Sequence, residues 1–233
     1  MNTSPALASM ARFPFGSARQ LGLAGGLAAV HAVAVPAGLV GASVLFNLED
    51  PFRGGWASLA MVAAVSVVTV GGVVVAGLGK AARMSALALG WNLENVGRDV
   101  PLGLVGGLVA IATVAVTGIA LGLGSLSSLW EAVASYGPLD RLVFAAIGVS
   151  AAITEESLFR GYLQPGLVKR LGPVAGILLG AAIFSVYHLN FGLASLLSKF
   201  ALGALFGLLR HRTGSLVPGA LAHASVWAVL GSA

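Results

Sequence analysis

Thr154-Glu155-Glu156-Ser157-Leu158-Phe159-Arg160-Gly161 sets two adjacent carboxylates and an arginine into a chain in which only 9% of residues are charged. Ionisable groups are costly in an apolar environment, so those found there pair with one another, line a cavity or do work. On a helix Glu156 and Arg160 stand at i and i+4 on one face, with the carboxylate N-terminal to the cation, the favourable order for an ion pair. Glu155 points about 100° away. If Arg160 holds Glu156, Glu155 is left as a carboxylate that can accept a proton from water. The same string also reads as a buried ion pair that only fixes helix register.

The surroundings of this string place it in a membrane. Hydrophobic residues make up 58% of the 233, glycines number 33, and the mean hydropathy is +0.95, which is far too apolar for a water-soluble domain of this length. The net charge of +5 does not point to nucleic acid, because the 13 lysines and arginines stand singly between apolar runs and form no stripe. With no cysteine, disulfides and thiolate metal sites are excluded.

Read outward from the Glu-Glu string, the chain is an all-α polytopic bundle of about seven spans with short interfacial helices. Residues 1–20 form a cytoplasmic tail ahead of a first span, 21–46, that is too long for the apolar part of a cleaved signal. A second span covers 56–78 and a third 100–123. Between them Met84, Leu87, Ala88 and Trp91 recur at i, i+3, i+4 and i+7, which predicts a short helix on the membrane surface, as does Leu126, Leu129, Trp130 and Val133. The fourth helix begins near Leu139 and runs through Glu155 to about Leu163, where Pro165 and Gly166 should break it. Spans at 174–189, 192–209 and 216–230 complete the count, with residues 21–138 as the N-terminal spans and 139–233 as a core that forms one membrane-embedded domain with them. With the tail inside, the cytoplasmic turns collect Lys80, Arg83, Arg98, Lys169, Arg170, Arg210 and Arg212, as the positive-inside rule requires. An integral protein of a bacterial plasma membrane, with its N-terminus cytoplasmic, is the expected setting.

Two further polar clusters fall in the C-terminal third, Phe184 with His188 and His223 with Trp227. A lone intramembrane histidine commonly bonds a helix carbonyl, and His31 in the first span is assigned no role. Together with Glu155, Glu156 and Arg160, however, the ordered set resembles the CPBP family of intramembrane proteases, which includes the type II CAAX prenyl endopeptidases and bacteriocin-processing or self-immunity proteins. Glu155-Glu156-x-x-x-Arg160-Gly161 matches its first motif and Phe184-x-x-x-His188 its second. Arg212-Thr213-Gly214-Ser215 also looks like the family. The third motif, His-x-x-x-Asn or Asp, keeps only His223, because Trp227 stands in its second place.

The resemblance implies an endopeptidase cleaving a membrane-associated peptide or protein, a prenylated CAAX-type or leader-peptide substrate, in contact with the lipid bilayer. Glu155 and His188 would activate water and His223 would stabilise the oxyanion, with no cofactor. Glu156, Arg160 and Phe184 would support them, and Trp227 is a possible replacement donor. Two alternatives stay open. Glu155, His188 and His223, with Glu156, could be zinc ligands, although the chain has no His-Glu-x-x-His helix; or the chain could be a degenerate relative that binds a membrane partner or confers immunity. Counted at ~1.5 Å per residue from the basic turns, Glu155 and His223 lie roughly 13 Å deep and His188 roughly 24 Å. Residues 164–173 are therefore expected to dip into the membrane, and the cavity to open on the side of the basic turns.

Overall fold

A computed structural model describes residues 18–231, so the expected tail lies almost entirely outside the described residues. Among them the regular structure is all helical: α1 (Ala18–Phe46), α3 (Ala86–Leu89), α4 (Val96–Ala120), α5 (Leu126–Ala134), α7 (Pro173–Tyr187), α8 (Leu193–Thr213) and α9 (Val217–Leu230). To these are added α2 (Trp56–Ala81) and α6 (Pro138–Leu171), each continuous but passing through a π-helical stretch, Val70–Ala81 in α2 and Glu156–Leu163 in α6. Five helices, α1 from Gln20, α2, α4, α6 and α8, are long and apolar enough to cross a bilayer. The other two expected spans, α7 and α9, have 15 and 14 residues, roughly 22 Å at ~1.5 Å per residue, short of a hydrocarbon core about 30 Å thick. The ends of α9 meet protein, with Leu216, Pro218 and Leu230 buried, whereas Val174 and Val186 near the two ends of α7 are exposed.

The short α9 is the axis of the bundle, packed on α4, α6 and α8. Small residues make this possible, as in membrane helix interfaces generally. A Cβ on Gly107 of α4 would come 2.8 Å from that of Ser225, and one on Gly148 of α6 would meet the Ala224 carbonyl at 2.8 Å. The end of the bundle that carries the basic turns is knotted by Arg210. This residue is 3% exposed, donates to the Gly214 and Arg160 carbonyls, and lies so close to Gly90 that any side chain there would collide with its guanidinium. Gly90 adopts φ 109°, and its carbonyl accepts the Leu216 N–H at 2.8 Å.

Three local expectations are corrected. The segment around Met84–Trp91 is not a surface helix. Only one turn, α3, forms before Gly90 ends it; Met84 and Leu89 are buried with Leu158, Phe159 and Tyr162, and the Trp91 indole N–H donates to Ser157 Oγ at 2.9 Å. By contrast α5 buries none of its residues. The second correction concerns Pro165 and Gly166, which do not break α6. Proline removes an N–H and so strands a carbonyl one turn earlier; in the wide turns of a π stretch that carbonyl is Arg160's, and Arg210 Nε caps it at 3.4 Å. Residues 164–171 are thus helix and not an irregular dip, and the turn is made at Gly172, φ 79°. Third, Arg210 is a buried structural group, so its charge does not belong among the exposed cations that set orientation.

Candidate active site

Glu155, His188 and His223 converge because three helix levels coincide. From the turn at Gly172, Glu155 lies about 17 residues back along α6 and His188 about 16 residues on along α7, so both sit at one depth. The two arms are locked together where Gly176 packs on the backbone of Leu167 and Val168. Gly161 touches Leu89 and Leu216, which fixes the entry of α9 at the Gly161 level. Glu155 and His223 are each then roughly 10 Å further along at ~1.5 Å per residue. The expected mismatch in depth disappears because the turn after α6 comes later, and α9 starts deeper, than the positions of the prolines and basic residues suggested.

At the meeting point His188 Nε2 lies 3.7 Å and His223 Nε2 3.8 Å from Glu155 Oε2. Both rings are oriented from behind. His188 Nδ1 stands 2.7 Å from the Phe184 carbonyl, an acceptor only, so Nδ1 carries the proton and Nε2 turns towards Glu155. His223 Nδ1 stands 3.1 Å from Glu156 Oε1, and its ring is stacked on Phe206 at 5.3 Å. Glu155 Oε2 has no hydrogen-bond partner among the described residues.

Glu156 is held differently. Its Oε1 accepts from Arg160 Nη1 at 3.1 Å as well as facing His223. Arg160, 2% exposed, donates through Nη2 to the Gly203 carbonyl at 3.3 Å. Its guanidinium lies 4.1 Å from the Phe184 ring centre and 5.4 Å from that of Phe206. Phe184 therefore serves two groups at once: it covers Arg160, and it both presents its ring and aims its carbonyl at the His188 imidazole. All the residues singled out from sequence are in one place, with Trp227 at the edge of the cluster.

Glu155, His188 and Trp227 open into a cavity of about 190 Å³ lined mainly by apolar side chains of α1, α2 and α6, among them Val35, Leu39, Val65 and Ile147, and closed by Phe52. These linings come from the middle of the helices and from the halves remote from the basic turns. The cavity therefore leads away from those turns, contrary to expectation. The Trp227 ring lies 6.4 Å from that of Phe52, and among the described residues no hydrogen bond engages its indole N–H. His31, read as having no role, also lines the cavity: it is 5% exposed, stacks on Tyr187 and is hydrogen-bonded to its hydroxyl. Its partner is 156 residues away, and no local pattern announces such a contact. Among the described residues no group of three or more His, Asp and Glu side chains has the disposition of a metal site.

Residues 137–229 match the family model described as type II CAAX prenyl endopeptidase, Rce1-like. The matched stretch runs from the residue capping α6 almost to the end of α9 and contains every polar group of the cluster except those that α1 contributes. No curated protein and no solved structure matches the chain significantly.

Proposed function

We propose that the chain, whose residues 137–229 match the type II CAAX prenyl endopeptidase model, is an intramembrane endopeptidase of the CPBP type in which Glu155 and His188 activate water. The observation that carries this reading is the carboxylate oxygen of Glu155 flanked by two imidazole Nε2 atoms at 3.7 and 3.8 Å. Such a spacing is too long for a direct hydrogen bond and suits a water bridging the two groups.

In this scheme the water oxygen attacks the scissile carbonyl carbon as its proton passes to Glu155, with His188 Nε2 accepting the second O–H and fixing the lone pair that attacks. The oxyanion then needs donors. His223 supplies one from Nε2 when its ring carries both protons, because Nδ1–H is directed at Glu156. As the C–N bond breaks, Glu155 returns its proton to the leaving amine, so the enzyme ends as it began. The apolar cavity of α1, α2 and α6 suits a hydrocarbon chain attached beside the scissile bond, which supports a lipidated peptide as substrate.

The test is hydrolysis of a prenylated peptide by purified protein, with Glu155→Gln and His188→Ala each expected to abolish turnover while folding is kept. Treatment with a chelator followed by zinc distinguishes the metal-dependent alternative, in which activity is lost and regained. A second reading is favoured by one observation, Trp227 packed towards Phe52 where the family's third motif places Asn or Asp: a relative without turnover that only binds a membrane partner.

A further inference from the structure

Lys199 is an ammonium in the middle of an apolar helix and takes no part in the scheme above. Its level is fixed by two cross-links between α6 and α8. Arg160 Nη2 donates to the Gly203 carbonyl and Gln164 Nε2 to the Gly207 carbonyl, each pair 43 residues apart. The two helices thus run parallel in one register, and one turn back that register sets Lys199 opposite Glu156 and beside the level of Glu155. Lys199 and Gly203 stand at i and i+4, on the face of α8 that meets the site.

The ammonium is half-buried, and among the described residues its one hydrogen bond is to Ser195 Oγ at 2.6 Å. Among the described residues no carboxylate lies within ion-pair distance of it. A cation in a bilayer normally pairs or marks a place where an anion passes. Here the partner is missing, the position adjoins the reacting groups, and Lys199 lies on α8, outside the apolar cavity lined by α1, α2 and α6.

On the premise that the chain is an endopeptidase for lipidated peptides, we propose that Lys199 binds the free C-terminal carboxylate of the substrate. The peptide then lies across Glu155 with its lipid in the apolar cavity and its C-terminus on α8. Cleavage is restricted to bonds a few residues from a chain end, because only there can one carboxylate reach Lys199 while the scissile carbonyl faces Glu155. Ser195 holds the ammonium in place and keeps its remaining N–H groups available to the anion.

The experiment compares kcat/KM for an S-farnesyl-cysteine peptide with three apolar residues after the cysteine, ending either in a free carboxylate or in a carboxamide. The wild-type protein is expected to prefer the acid by about 10- to 100-fold, the worth of one charge-assisted hydrogen bond. Lys199→Met should bring that ratio close to one, chiefly by raising KM for the acid, and Lys199→Arg should keep most of it. Equal rates on acid and amide in the wild type overturn the proposal without touching the protease assignment. A ratio unchanged in Lys199→Met overturns it too, and marks the lysine as a cation reaching for the membrane surface. An equal loss on both peptides means that Lys199 acts on Glu155 and not on substrate. Cleavage of neither peptide by the wild type rejects the endopeptidase reading itself.

Discussion

Glu155 and Glu156 are neighbours in sequence, both buried in the same helix, yet their surroundings differ. Glu156 meets Arg160 and His223 at 3.1 Å, and Arg160 in turn is capped by a carbonyl and covered by Phe184 and Phe206. Glu155 faces two imidazoles at 3.7 and 3.8 Å and opens onto a cavity. Oε2 of either carboxylate has no hydrogen-bond partner among the described residues, but Glu156 is tied through Oε1 to a cation and an imidazole, which fixes its charge and place and lets it organise others; Glu155, near its partners but not bonded to them, has capacity for a proton and a water. The helical turn of about 100° between adjacent residues is enough to separate the two roles.

The largest effect that would break this contrast is on the paired side. Arg160→Ala leaves Glu156 buried and unpaired, which should destabilise the folded protein by about 3–5 kcal/mol, read as a large fall in the thermal midpoint in detergent. A variant that melts like the wild type would show that the ion pair does not hold the site. On the open side, Trp227 sharpens the contrast. If its indole donates to the oxyanion, Trp227→Phe should lower turnover by about 10²-fold, and if the natural protein is degenerate, activity should emerge only in Trp227→Asn. Equal rates for wild type and Trp227→Phe would remove the donor role. The smallest effect expected is at the back of the helix. Trp91→Phe deletes the hydrogen bond to Ser157 and should cost about 1 kcal/mol with little change in turnover per folded molecule; a large loss of turnover would bring the Met84–Trp91 segment into the site.

Much of this was legible because it obeys helical spacing. The Glu156–Arg160 pair needed only the i, i+4 rule, and the glycines of α4 marked the surface on which α9 packs. What was not legible depended on partners remote in sequence. Met84, Leu87, Ala88 and Trp91 have the period of an amphipathic helix, but Met84, Ala88 and Trp91 pack in the cluster built on α6 while Leu87 stays exposed, and the period alone does not distinguish protein from lipid as the surface they meet. Pro165 should end a helix unless something else satisfies the carbonyl it strands, and that something is Arg210, 50 residues beyond Arg160. A break at Pro165 would move the turn and with it the depth of His188, whereas the side to which the cavity leads is set by its linings on α1 and α2. The contact of His31 with Tyr187 is illegible for the same reason.

The central claim is that Glu155, and not its paired neighbour, carries the chemistry. Single-turnover hydrolysis of a prenylated peptide by Glu155→Gln tests it most directly, with the thermal midpoint measured on the same sample. The variant should melt close to the wild type and lose turnover by at least about 10³-fold, as removal of an essential base requires. Hydrolysis at the wild-type rate by a folded Glu155→Gln protein would contradict the account.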